Sequence, residues 1–207
     1  MAPASGDLVT KERLLEVATR LFAEHGFGKV TVRAICTGAT ANVAAVNYHF
    51  GGKAGLYEEV LRAAIRVMQT MTDDVKREGE GQPPKQQLRI YVRIFLERVS
   101  ANRNGWIHQL MMHEMQDPTP GLDLVVAQVI TPRVAYLSSI IADMLGCDDR
   151  DERVRRCVMS VQSQCLTVMR NPIGQKLGMR AIGPADVPAL ADHITAFSVA
   201  GIVALRS

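Results

Sequence analysis

The chain has 207 residues, 47% of them hydrophobic and 22% charged, with a formal net charge of +3. That is enough apolar chain to bury a substantial core in one large or two small domains, and it excludes a disordered or fibrous protein. A pI near 8.8 permits a nucleic-acid partner without demanding one.

The start, MAPASGDLVTKERLL, lacks the apolar run of a signal peptide. The longest apolar stretch, Phe197 to Leu205, is about half of what a bilayer span needs, so the sequence reads as soluble, with no membrane partner. Cys36, Cys147, Cys157 and Cys165 form no CxxC pair and no zinc-like spacing, and a chain of this length has no need of a disulfide scaffold. Reduced thiols in a cytoplasm are the expectation. Cys157 and Cys165, eight apart, share a face on any helix that holds them.

Residues 1–9 read as a flexible arm. From Thr10, a good N-cap, Leu14, Leu15, Ala18, Leu21 and Phe22 fall at helical spacing up to a stop at His25-Gly26. Thr31 caps a short helix with Val32, Ala34 and Ile35. Asn42 caps a third from Val43 to about His49, broken by Gly51-Gly52, and a fourth runs from about Lys53 to Lys76. Glu78 to Lys85 reads as a loop. Leu88 to Val99 is amphipathic, and Trp106 to Met115 makes a further helix before Asp117-Pro118. A long apolar helix follows from Leu122 to Leu145, with Pro132 placed to kink or split it. Another reaches Met169 before Asn171-Pro172, and Gly183-Pro184 with Asp186 introduces the last. The fold class is all-α, with no convincing strand.

Residues 31–50 form helix, tight turn, short helix, with polar caps at both starts. This is the helix-turn-helix pattern. Val32, Ile35, Cys36, Ala39, Val46 and Phe50 face inward. Val43, Ala44, Ala45 and Asn47 face outward and are nearly all small, which lets a backbone approach a major groove. Tyr48, His49 and Lys53 follow directly; tyrosine and lysine suit phosphates, and Lys53 opens a helix whose free amides favour an anion. On pattern alone, a structural hairpin fits as well as a DNA reader.

The stretch TVRAICTGATANVAAVNYHFGGKAGLYEEVL resembles the DNA-binding signature of the TetR family of bacterial regulators, over roughly residues 10–65. It agrees in order and spacing at the apolar positions, at Tyr48, His49 and Phe50, and at Lys53 and Leu56. The resemblance implies phosphate contacts from Thr31, Tyr48, His49 and Lys53, and base contacts from Val43, Ala44, Ala45 and Asn47. Arg33, near the start of the second helix, joins the DNA-binding set. Two positions depart from the family pattern. Thr40 stands where the turn usually has glycine, so either a non-glycine residue adopts positive φ or the turn is shaped differently. Gly52 replaces the serine that often caps the fourth helix. AVNYHFGGKAGLY is also similar to a branch of the family with its own type of C-terminal domain.

The reading helix carries no Lys or Arg, and residues 1–54 hold six Lys/Arg against four Asp/Glu, a balance of +2. A single copy binds DNA poorly on those terms, so a dimer on a palindromic operator is expected. The predicted organisation is a helix-turn-helix domain over 1–54 and a ligand-binding and dimerisation domain over 55–207.

In the second part, no nucleophile-base set or metal cluster emerges, so neither an enzyme nor a cofactor is expected. Met68, Met71, Trp106, Met111, Met112 and Met115 gather soft apolar side chains, with His108 and Gln109 as polar neighbours. Taken singly they are core packing; as a group, and because the family's C-terminal domains bind small molecules, they are the candidate effector lining. Ile194, Phe197, Gly201, Ile202 and Leu205, with Val161 and Cys165 on the preceding helix, form apolar faces. These pack within their own domain or pair two chains. TetR-like proteins dimerise through two C-terminal helices per subunit, which makes the homodimer interface the expectation.

Overall fold

The computed structural model describes residues 5–100, 105–167, 176–178 and 182–206, and the regular elements among them are all helical. In chain order they are α1 (Ser5–Lys29), α2 (Val32–Gly38), α3 (Val43–Phe50), α4 (Lys53–Gly79), α5 (Pro84–Ser100) and α6 (Gly105–Gln116). Then come α7 (Gly121–Val125), a π-turn (Val126–Ile130), α8 (Thr131–Leu145), α9 (Glu152–Thr167), a 3-10 turn (Pro184–Asp186) and α10 (Val187–Ala204). Met169 and Asn171-Pro172 lie outside the described residues.

The chain divides into two compact units: 1–67 with 105–126, and 68–104 with 127–207. This differs from the expected cut after residue 54. The first half of α4 and all of α6 belong with the N-terminal helices, for a reason visible in the packing. Tyr57 of α4 sets its ring edge-on to Phe22 of α1 at 4.8 Å, and α6 lies along α1.

In the first unit, α1 starts earlier than its expected cap. Residues 5–9 are helical and Thr10 lies inside the helix. The chain breaks at Gly26, with φ 76° and ψ 167°. A Cβ there would stand 3.0 Å from His113 Nδ1, so the position combines a left-handed φ with a close neighbour. Glu114 of α6 is 1% exposed. Its carboxylate accepts from the Tyr57 hydroxyl, from Thr119 N at 3.1 Å and from Thr119 Oγ1 at 2.9 Å. A buried carboxylate needs such partners, because stranding it costs several kcal/mol, on the order of 3. Burial first, and the carboxylate second, push the Tyr57 hydroxyl far above its ordinary pKa.

In the second unit, α5 packs against α8, α9 and α10. Leu88, Tyr91, Val92 and Leu96 meet Leu137, Ile140 and Ile141 of α8, Val154 and Val158 of α9 and Ala191 and Ile194 of α10 in one core. Cys157 and Cys165 are buried free thiols, and burial pushes Cys165 up to about 12. The expected loop over 78–85 is shorter in the structure. Glu78 pairs with Arg93, Gln87 Nε2 donates to the Gly79 carbonyl at 3.2 Å, and Pro84 sits where a helix needs no N–H. At Pro132 the helix does not split but runs on through a π-turn. Proline offers no N–H to the carbonyl four residues back, that of Gln128. The backbone widens there, and Gln69 Nε2 donates to the Gln128 carbonyl at 3.4 Å.

The expected interface set is divided by this packing. Val161 (1% exposed), Cys165 (0%), Ile194 (3%) and Ile202 (2%) belong to the protomer's own core, which corrects their placement at a partner. Phe197 (66%) and Leu205 (44%) point outward, as does Gly201, with Met159 and Leu166 of α9 also exposed. By length and composition, Pro184–Ala204 and Gly121–Leu145 are apolar enough to cross a membrane, with 33% and 28% of their apolar windows buried.

Candidate nucleic-acid interface

α2 opens at Thr31, extended at φ −107° and ψ 150°, whose Oγ1 accepts from Ala34 N at 3.2 Å. α3 opens at Asn42, whose Oδ1 accepts from Ala45 N at 2.8 Å. Each satisfies an amide that the helix leaves open. Between them, Ala41 N donates to Cys36 O at 2.9 Å and Thr40 N to Thr37 O at 3.3 Å, the bond pair of a Schellman stop. That stop needs a left-handed residue, and Thr40 supplies it at φ 50°. A β-branched side chain is strained there. Relief of roughly 1–3 kcal/mol of strain outweighs the extra unfolded-chain freedom of glycine, about 0.5–1 kcal/mol. Thr40→Gly is therefore expected to stabilise by about 1 kcal/mol, read as a higher urea midpoint at unchanged slope; a lower midpoint would rule the strain out.

Ile35, Cys36, Ala39, Val46 and Phe50 are buried, close on Leu14, Ala18 and Phe22 of α1, while Val32 is half-buried. The other face is open to solvent. Val43, Ala44 and Asn47 are exposed, Ala45 is half-buried, and Tyr48 is 78% exposed. Thr31 and Arg33 are exposed on α2. Lys53, the first residue of α4, holds Nζ 4.3 Å from the Phe27 ring centroid, which steadies the cation without neutralising it.

His49 behaves differently from the other expected phosphate contacts. Its side chain is 8% exposed and its Nε2 lies 3.2 Å from Asp7 Oδ1. The imidazole ties α3 to α1, so its expected place as a free phosphate contact is corrected: that nitrogen is engaged by a carboxylate. Asp7 was hidden in the residues read as an arm. Running the helical period back from Leu14 through Thr10 places Asp7 on the first helix, though not its partner.

Gly55 is the other residue that pattern reading passed over. A Cβ at this position would lie 1.9 Å from the Phe50 carbonyl oxygen. The last turn of α3 and the first turn of α4 therefore touch through backbone, which fixes Tyr48 relative to Lys53. A glycine in the first turn of a long helix is costly by propensity and is itself a sign of close approach.

The seven expected effector residues fall in different units. Met68 and Met71 are in the second, Met71 buried at 4%; Trp106, His108, Met111, Met112 and Met115 are in the first, with Met112 and Met115 exposed at 40% and 71%.

Residues 14–60 match the family described as bacterial regulatory proteins of the TetR family. Residues 84–202, more than half of the chain, match the C-terminal domain of the HTH-type transcriptional dual regulator CecR. The chain belongs to the TetR family. It is a DNA-binding transcriptional regulator and not an enzyme. The CecR dual regulator of Shigella flexneri is 28% identical over 156 residues, covering 70% of this chain and 68% of that protein. The HTH-type transcriptional repressor AcnR of Corynebacterium glutamicum is 35% identical over 92 residues, 37% of this chain and 49% of AcnR. Among solved structures, the fatty acid degradation regulator FadR of Bacillus halodurans shares the fold with a TM-score of 0.64 at 15% identity, covering 93% of this chain and 95% of FadR.

Proposed function

We propose that this regulator represses transcription as a homodimer on a palindromic DNA operator in the cytoplasm, and is released when a small apolar molecule binds. The reading rests on charge. The helix that offers its side chains to the groove has no Lys or Arg, and residues 1–54 carry a balance of only +2. Phosphate neutralisation supplies most of the affinity for DNA, so a single head is too weak and two must act together. The uncovered apolar residues Phe197, Gly201 and Leu205 supply a face for that pairing.

Each head then positions itself by phosphate contacts from Thr31, Tyr48, Lys53 and Arg33. It reads bases through Asn47, suited to an adenine edge, and through Val43, Ala44 and Ala45, suited to thymine methyls. Of the expected effector residues, Met68 and Met71 of the second unit are the candidate effector contacts. AcnR is a repressor, which supports the repressing sign. CecR is named a dual regulator, so activation from a differently placed operator is the second reading. A ligand shifts the regulator off DNA only as far as its affinity differs between two conformations.

Selection of bound sequences from a random DNA pool tests the reading. The expected product is a palindrome with half-site centres about 34–36 Å apart or a multiple of that spacing; a lone asymmetric half-site would overturn the dimer. On that operator, Lys53→Ala is expected to reduce the slope of log K against log salt by about 0.9 per contact, or about 1.8 per dimer. His49→Ala should leave the slope unchanged. An unaltered slope in Lys53→Ala removes this lysine from the phosphate contacts.

A further inference from the structure

Seven arginines of the second unit, Arg77, Arg89, Arg93, Arg98, Arg153, Arg155 and Arg156, pair with carboxylates. Arg133 on α8 does not. Among the described residues no Asp or Glu lies within ion-pair distance of it, and its Nε is fully buried without a hydrogen-bond partner. Among the described residues its hydrogen bond is a long one, Nη2 to the Met68 carbonyl at 3.4 Å, and its guanidinium stands 6.0 Å from the Phe95 ring centroid.

Two further polar atoms lie in the same unit: the Thr72 hydroxyl, on a residue 9% exposed, is buried without a partner, and the Tyr91 hydroxyl, on a residue 1% exposed, has Gln162 as its polar neighbour. Thr72 lies one helical turn beyond Met68 on α4. The Tyr91 ring is 6.4 Å from the same Phe95 that Arg133 faces. Burial raises the Tyr91 hydroxyl pKa while the charge of Arg133 and a hydrogen bond with Gln162 lower it, and burial holds Arg133 below its ordinary value. Buried polar groups are otherwise satisfied in folded proteins, and Arg133, a half-buried residue with its Nε fully buried, carries its charge without a carboxylate beside it. The π-turn opens directly before the Thr131-Pro132-Arg133 segment, and such turns recur at functional sites.

We infer that Arg133, Tyr91 and Thr72 form the polar end of an effector site in the second unit, which takes the carboxylate of an amphipathic acid. A guanidinium offers paired N–H donors to a planar carboxylate, and the two hydroxyls supply further donors. The apolar part of the acid is received by neighbouring core side chains such as Phe95. The inference rests on the reading of the chain as an effector-responsive regulator, and it names the chemical class of that effector.

Calorimetry on the full chain with octanoate, dodecanoate, dodecanol and dodecyltrimethylammonium tests it. Dodecanoate is expected to bind at least tenfold more tightly than dodecanol, with the cationic analogue weakest. Arg133→Met should erase that preference, and Arg133→Lys should keep part of it. A second readout needs no ligand: removing a half-buried charge with no carboxylate beside it is expected to raise the melting temperature of the Arg133→Met protein. Equal binding of acid and alcohol, an unchanged preference in Arg133→Met, or a lowered melting temperature in that variant would each overturn the site. If dodecanoate binds through Arg133 but leaves the DNA complex intact, the site stands and release by effector falls.

Discussion

Gly55→Ala is expected to lower both the stability of the regulator and its affinity for DNA, although helix propensity alone points the other way. Alanine is favoured over glycine inside a helix by about 1 kcal/mol. Against that stands a Cβ placed 1.9 Å from the Phe50 carbonyl oxygen, a backbone atom that cannot rotate aside. Separation to an ordinary contact means moving the end of α3 away from the start of α4 by more than about 1 Å, at an overpacking cost of roughly 1–3 kcal/mol or more. The steric effect wins. Tyr48 and Lys53 flank this junction on its two helices, so the shift also misaligns the two residues proposed to hold phosphates. A fall in melting temperature of about 2–4 °C for each kcal/mol lost and a drop in operator affinity of about tenfold or more are the expected results. Thermal melts and gel shifts read them. A rise in stability with unchanged affinity would mean that the junction yields freely.

What was legible beforehand was what local chemistry decides. Thr31 and Asn42 cap because their side-chain oxygens reach amides three residues on. Pro132 disrupts its helix because it lacks one N–H, and Thr40 is left-handed because the helix stop requires it. Contacts between distant segments carry no such mark. Nothing in the spacing of Asp7 announces His49 forty-two residues later, and nothing near Tyr57 announces Glu114. That is why chain order puts α6 with the C-terminal half while the structure packs it along α1. On α10 the difficulty is different. The helix is apolar nearly all round, so period alone leaves open which residues turn inward. Ile194 and Ile202, eight apart, enter the core, while Phe197, Gly201 and Leu205, each four apart, stay outside.

That outward row gives the second large expected effect, in Phe197→Glu. Phe197 is 66% exposed, so in a lone protomer the change should alter stability by no more than about 0.5 kcal/mol. In a two-fold dimer built on this face, the same residue meets its own copy or the copy's neighbours. Two carboxylates are then desolvated close together, which costs several kcal/mol, on the order of 3–5 if neither is paired. The chain should sediment as a folded monomer. On the proposed mode, in which two weak heads act as one, operator affinity should fall by about 10²–10⁴-fold. Ile202→Glu is the discriminating control. Ile202 is 2% exposed and sits in the protomer's own core, so that variant should lose thermal stability before any question of assembly arises. If Phe197→Glu stays dimeric and binds its operator normally, the two copies pair through another surface. If it becomes monomeric yet binds with undiminished affinity, a single head suffices, and the charge argument for a dimer fails.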